Sequence, residues 1–206
     1  MKKQLCSLLT ALALAVGLLP SAARAAENAP SFADVPAAAW YADAVQYVYE
    51  NGLMTGVSES EFAPDGTATR GQIVTILWRL AGSPVVNYAM RYADADEGAW
   101  YGEAVRWAAS TGVVTGYSES SFGPNDAITR EQLAAILYRY VKTQGQGFTG
   151  MWYFPLRYDD AASISSWADE AMHWCVMKGV LNGTGETALS PQPVSYTHLR
   201  AHETPE

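Results

Sequence analysis

The chain has 206 residues, and its composition excludes several classes of protein. A formal net charge of −8 argues against a nucleic-acid binder, because such proteins usually carry a basic face. Hydrophobic residues make up 49% of the chain and charged residues only 17%, a balance typical of a folded rather than a disordered protein.

The first 25 residues have the pattern of a secretory signal peptide. Lys2 and Lys3 precede a short apolar run, and the small residues Ala23 and Ala25 stand at positions −3 and −1 of the expected cleavage site. The apolar run is shorter than the ~20 residues that a membrane-spanning helix needs. We therefore expect residues 1–25 to be a signal peptide and the exported protein to have no membrane span.

The body of the chain is an internal repeat. Residues 32–82 form a first unit, which residues 92–142 repeat at a constant offset of 60, and a third, incomplete unit covers residues 158–193. A register held without gaps over about fifty residues indicates tandem repeats. The matched pairs include Phe32 and Tyr92, Asp34 and Asp94, Trp40 and Trp100, Gly52 and Gly112, Phe62 and Phe122, and Thr69 and Thr129.

The second half of each complete unit is predicted to be a capped helix. Thr69 with Gln72, and Thr129 with Gln132, have the spacing of a capping box, in which each side chain accepts a backbone N–H of the other residue. Apolar residues then recur at i, i+3, i+4 and i+7, as on an amphipathic helix. The sequence predicts an all-α fold without a substantial sheet, with helices at residues 37–51, 69–80, 98–111, 129–141 and 166–178.

Two segments do not follow the repeat. The linker at residues 143–157 holds an aromatic run from Met151 to Leu156, which is expected to pack on the body but could instead be an exposed contact patch. Residues 194–206 lack apolar periodicity and resemble a translated sequencing adaptor more than a protein element. We expect this tail to be foreign and disordered, so that the second helix of the third unit and a downstream cargo domain are missing.

Arg70 and Arg130 occupy the first position of the two capped helices, where the helix dipole disfavours a cation. Two interpretations are open. A guanidinium there could bind an anionic ligand together with the unpaired N–H groups of the helix start. Alternatively, each arginine could pair with an acidic residue of a neighbouring repeat.

The chain resembles the S-layer homology domain in its aromatic-x-Asp, Trp, Ala, Phe-x-Pro and Thr-Arg-x-Gln elements, over roughly residues 32–191. The resemblance implies a pseudo-three-fold bundle of three helix-loop-helix repeats. It also implies a secreted protein of the cell surface, cell wall or surface layer. Such a protein would be attached non-covalently to secondary cell-wall polysaccharide, a peptidoglycan-linked glycan that often carries ketal-linked pyruvate.

The family's binding signature, commonly Ile-Thr-Arg-Ala-Glu, maps onto residues 68–72 and 128–132, with Gln in place of Glu in both copies. The resemblance therefore favours glycan binding by the two arginines. The repeated tryptophans could stack on sugar rings, but their helical spacing with Ala44, Ala104 and Ala171 favours buried core anchors. The polysaccharide-binding residues implied are Thr69, Arg70, Gln72, Thr129, Arg130, Gln132, Trp40 and Trp100.

The remaining chemical groups give no sign of catalysis. Asp34, Asp94 and Asp160 are interpreted as helix caps or turn formers, and Cys175 as a small buried hydrophobic residue. The acidic loops lack the spacing of a calcium-binding loop, so we expect no metal and no cofactor. A wall glycosidase would need a pair of placed carboxylates, and nothing supports one, so we expect no enzyme. Self-assembly into a surface lattice without glycan binding is the main alternative to anchoring.

Overall fold

A computed structural model describes residues 32–195, so the expected signal peptide and residues 196–206 of the tail lie outside the described residues. The described chain divides into two compact units, residues 32–66 and residues 67–195. Within it there are five α-helices, one 3-10 turn and no sheet, which confirms the all-α prediction. No helix in residues 32–195 is both long and apolar enough to cross a membrane.

The unit at residues 32–66 is built around one short helix, α1 (Ala42–Glu50). Phe32, Val45 and Phe62 form its core, and the two phenylalanine rings lie 5.4 Å apart. The helix begins five residues later than predicted. The backbone from Pro36 onward forms consecutive turns instead, in which Ala39 and then Ala42 each donate an N–H to the carbonyl oxygen three residues earlier.

The unit at residues 67–195 holds the other four helices. In chain order their bounds are Arg70–Leu80 (α2), Gly102–Ser110 (α3), Arg130–Thr143 (α4) and Asp169–Met177 (α5). Helices α2 and α4 are the predicted capped helices, whereas α3 and α5 are the first helices of the second and third repeats. Helix α2 packs on α3, and α4 packs on α5. Cys175 is fully buried in α5, as predicted.

A closed ring of backbone hydrogen bonds joins the three repeats. Ile128 donates its N–H to Ala68 (2.9 Å), Ala68 donates to Ser195 (2.9 Å), and Ser195 donates to Ile128 (2.7 Å). These residues hold equivalent positions, so the ring has the pseudo-three-fold character of the repeat. Val194 also forms an antiparallel bridge with Thr129. Val194 and Ser195, which we assigned to the disordered tail, are therefore part of the fold.

An aspartate near the start of each repeat fixes a loop later in the same repeat. The Asp94 carboxylate accepts the backbone N–H groups of Phe122 (2.8 Å) and Gly123 (2.9 Å). Asp34 and Asp160 accept the two equivalent N–H groups of their own repeats. Of the two interpretations of these aspartates, helix capping is wrong, because α1, α3 and α5 have no side-chain cap, whereas the role of turn former is supported. The three aspartates stabilise the loops that carry Phe-x-Pro in the first two repeats and Leu-Ser-Pro at residues 189–191 in the third.

The aromatic linker is partly packed and partly exposed. Phe148 and Trp152 stack with ring centres 4.2 Å apart, and Trp152 lies 5.2 Å from the ring of His173 on α5. Met151 and Tyr153 point away from the body, with exposed fractions of 104% and 89%. Some side chains of this segment thus pack on the body, as Trp152 does, whereas others are exposed to solvent, as Met151 and Tyr153 are.

Candidate functional site

Both predicted capping boxes are present. The Thr69 N–H donates to Oε1 of Gln72 (2.8 Å), and the Gln72 N–H donates to the Thr69 hydroxyl (3.3 Å). Thr129 and Gln132 exchange the same two bonds, each 3.3 Å long. The boxes make Arg70 and Arg130 the first residues of α2 and α4, but they also engage the polar atoms that we proposed for ligand binding.

Arg70 is buried against the next repeat, with an exposed fraction of only 5%. Its Nε donates to the carbonyl oxygen of Phe122 at 2.8 Å. The guanidinium carbon lies 4.3 Å from the centre of the Tyr117 ring and 4.8 Å from that of Phe122. Burial lowers the pKa of Arg70, yet an arginine remains protonated at neutral pH. The result is a fixed cation held between aromatic rings.

Arg130 binds the third repeat through backbone carbonyls. Its Nε donates to Leu189, the equivalent of Phe122, at 3.1 Å, and its Nη2 donates to the carbonyl oxygen of Asn182. Burial lowers its pKa as well. Among the described residues, neither Arg70 nor Arg130 forms an ion pair with an acidic side chain. Pairing with acidic residues of a neighbouring repeat is therefore not what holds these arginines.

A cleft of about 350 Å³ opens beside Arg70. Arg70 comes from the first repeat, Tyr117 and Arg139 from the second, and Trp167 from the third, so the cleft exists only because three repeats meet. Gly116 allows the turn there, since its φ is +72° and a Cβ would lie 2.6 Å from the carbonyl oxygen of Ser121. The full lining is Arg70, Val114, Thr115, Gly116, Tyr117, Gln132, Ala135, Ile136, Arg139 and Trp167.

Arg139 adds a second cation to this cleft. It lies seven residues after Gln132, on the face of α4 that lines the cleft. Burial lowers its pKa. Within residues 32–195 its guanidinium has neither a hydrogen-bond nor an ion-pair partner. Its positive charge repels that of Arg70 and so contributes to lowering the pKa of Arg70. The lining thus contains two guanidinium groups and no carboxylate.

The repeated tryptophans are not core anchors. Trp40, Trp100 and Trp167 have exposed fractions of 44%, 59% and 53%, so the prediction of buried tryptophans is wrong. Trp167 lines the cleft, whereas Trp40 and Trp100 do not. A role for these rings in stacking on sugars stays a prediction.

Comparison with known families matches three parts of the chain. The model of the S-layer homology domain fits residues 31–74, 91–134 and 157–192, which together exceed half of the sequence. The chain belongs to the S-layer homology domain family. Domains of this family are binding modules for cell-wall polymers, and the protein is accordingly a secreted one of the cell surface or cell wall.

Several curated proteins share this S-layer homology region. The chain is 29% identical over 198 residues to an endoglucanase of a Bacillus species, covering 92% of this chain and 20% of that protein. It is 27% identical over 187 residues to the S-layer protein sap of Bacillus anthracis, covering 90% and 22%. An amylopullulanase of Thermoanaerobacterium thermosulfurigenes is 26% identical over 159 residues, covering 74% and 8%. The chain thus spans less than a quarter of each of these relatives.

The cleft brings together only part of the predicted S-layer homology site. Arg70 and Gln132 line it, whereas Thr69, Gln72, Thr129, Arg130, Trp40 and Trp100 do not. Sequence reasoning missed Arg139 and Tyr117 and left Trp167 out of the site. Helical periodicity from Gln132 could have found Arg139, because Gln132, Ala135, Ile136 and Arg139 follow i, i+3, i+4 and i+7. Within residues 32–195 no cluster of histidine, cysteine and acidic side chains could hold a metal ion.

Proposed function

We propose that this chain anchors an exported protein to the bacterial cell wall by binding secondary cell-wall polysaccharide, including polymers with ketal-linked pyruvate. The observation that carries the proposal is the pair Arg70 and Arg139, two guanidiniums that line one cleft without a carboxylate. Trp167, half exposed beside them, offers a ring face for a sugar.

The chemistry of these groups suits an acidic glycan. A guanidinium presents parallel N–H donors that match the two oxygens of a carboxylate, and such charge-assisted bonds are short and strong. The bond from Arg70 Nε to Phe122 fixes this guanidinium where it lines the cleft. Because the chain as a whole is acidic, its long-range field does not attract an anionic polymer. Recognition must therefore come from local cations such as these two.

What is anchored is a further part of the proposal. The relatives include enzymes of polysaccharide breakdown and S-layer proteins, and this chain spans only a small part of each. In our proposal the S-layer homology region attaches a separate functional part to the wall. Binding to the polymer, rather than catalysis, is its contribution.

Sedimentation with purified walls tests this function. The mature chain is mixed with walls that retain the polymer, with walls from which it has been extracted, and with walls whose pyruvate has been removed by mild acid. We expect only the intact walls to remove the mature chain from the supernatant. Added free polymer should reverse this binding. Equal sedimentation with intact and extracted walls would contradict the proposal. Release of reducing sugar from the polymer would point to an enzyme instead.

Self-association is a second candidate, favoured by the exposed side chains of the linker. Met151 and Tyr153 stand out from the body and together present an apolar surface to solvent. A concentration-dependent mass in analytical ultracentrifugation, abolished by changing both residues to Ser, would support assembly. A monomer at all concentrations would contradict self-association.

A further inference from the structure

Two residues beside the cleft depart from the repeat. Tyr117 corresponds to Val57 in the first repeat and Thr184 in the third. Asp126 corresponds to Gly66 and Pro193. The fold common to the repeats therefore does not require a tyrosine or an aspartate at these positions. Both occur together in the one repeat whose turn lines the cleft.

The structure places this pair directly against Arg70. The backbone carbonyl of Asp126 accepts the N–H of Arg70 at 3.0 Å. The Asp126 carboxylate and the Tyr117 ring meet over the backbone of Gly123, where both would collide with any added Cβ. The same Tyr117 ring covers the Arg70 guanidinium. Asp126 is thus held beside the ring that shields the buried cation.

The charges around the cleft can be counted. Arg70 and Arg139 contribute two positive charges to the lining, and Asp126, just outside it, contributes one negative charge that acts on Arg70. These three groups therefore have a net charge of +1, which a ligand group with one negative charge would neutralise. The second charge of a phosphate monoester would have no additional cation in the lining to balance it, and the negative charge of Asp126 would repel it.

We propose that Asp126 determines the charge selectivity of the cleft, so that a sugar bearing a single carboxylate is preferred over one bearing a doubly charged phosphate. This inference rests on the proposed function, because it assumes that the cleft binds an acidic glycan. In this proposal the Asp126 carboxylate acts on the ligand's charge without contacting the ligand. The Tyr117 ring positions the Asp126 carboxylate and separates it from the Arg70 guanidinium.

The test is competition for binding to immobilised wall polymer. The competitors are two glycosides of the same sugar: methyl glucoside with a 4,6-linked pyruvate ketal, which has one carboxylate, and methyl glucoside 6-phosphate. They are compared on the wild-type protein and on Asp126→Asn, which keeps the size of the side chain and leaves the backbone bond to Arg70 in place. Thermal melting confirms that the variant is folded. Asp65→Asn, an exposed aspartate of the first repeat, is the matched control for loss of one negative charge.

The wild-type protein should prefer the pyruvate ketal. In Asp126→Asn the affinity for the phosphate should increase more than the affinity for the ketal. The ratio of the ketal affinity to the phosphate affinity should therefore fall about two- to fivefold, as expected for a partly screened charge pair. The control should leave the ratio unchanged. An unchanged ratio in Asp126→Asn, or failure of both glycosides to compete on the wild type, would overturn the inference. Arg139→Ala tests the proposed function separately from the role of Asp126. Undiminished polymer binding by that variant would contradict the proposal that the cleft is the binding site.

Discussion

The side chain of Arg70 donates a 2.8 Å hydrogen bond to the carbonyl oxygen of Phe122, 52 residues further along the chain. Arg130 makes the equivalent bond to Leu189 in the third repeat. Each arginine of the Thr-Arg-x-Gln element thus joins its own repeat to the next one. These contacts make both arginines part of the interface between repeats.

Arg130→Ala should therefore destabilise the protein. The variant leaves the carbonyls of Leu189 and Asn182 without their donor, and hydrogen bonds of a charged group contribute about 1.5–3 kcal/mol. Arg139→Ala is the control, because that side chain has no partner among the described residues, and its effect should stay within about 0.5 kcal/mol. Urea unfolding of both variants measures the difference. Equal midpoints for the two would show that the interface does not depend on Arg130.

Acid should weaken all three repeats together. Hydrogen bonds from the N–H groups of Phe62 and Leu189 chiefly lower the pKa values of Asp34 and Asp160 from the ordinary 3.8. For Asp94 burial raises the pKa, but its backbone and Ser121 hydrogen bonds outweigh that effect, so this pKa is lowered too. A carboxylate with a lowered folded-state pKa stabilises the fold above its unfolded pKa, and this stabilisation is lost as pH falls through the folded value.

The melting temperature should accordingly fall as pH decreases from about 5 to 2. Asp94→Asn should be less stable at neutral pH and should show a shallower decrease with acid, because one of the three groups no longer titrates. Melting curves across this pH range check both points. If the melting temperature of Asp94→Asn fell with pH as steeply as that of the wild type, Asp94 would not contribute to the acid sensitivity of the fold.

The backbone ring at Ala68, Ile128 and Ser195 predicts where the chain can be shortened. A mature chain that ends at Pro193 loses two ring bonds and the Val194 bridge, which should cost about 1–3 kcal/mol. A chain that ends at Ser195 keeps them and should melt like the full-length protein. If the two truncated chains have the same melting temperature, the ring does not stabilise the fold.

Glu131 is a further buried contact between repeats. It is 3% exposed and accepts the N–H (2.9 Å) and hydroxyl (3.0 Å) of Ser165. Its equivalent is Gly71, where a Cβ would lie 2.8 Å from the carbonyl oxygen of Pro124. Glu131→Ala should cost about 1–3 kcal/mol, because the donors of Ser165 lose their acceptor. Glu131→Gln keeps an acceptor and should cost less; thermal unfolding that ranks the two in the opposite order would contradict this role.

Local patterns were enough to predict the capped helices. Thr69 and Gln72 are three residues apart, so the geometry of a single turn determines their hydrogen bonds. The tryptophans were misjudged because the helices begin after them. Trp40 precedes the first residue of α1, Ala42, so its spacing from Ala44 does not place the two on one helical face. The cleft could not be predicted, since Tyr117, Arg139 and Trp167 meet only through packing between repeats.

The affinity of Arg139→Ala for purified wall polymer tests the central claim most directly. Arg139 lines the cleft and has no internal partner among the described residues, so the variant should fold and melt like the wild type. It should bind the polymer about ten- to a hundredfold more weakly, the loss expected when one charge-assisted contact is removed. Arg157→Ala, which removes an exposed arginine of the linker, should bind normally. An Arg139→Ala protein that melts normally and binds with undiminished affinity would contradict the account.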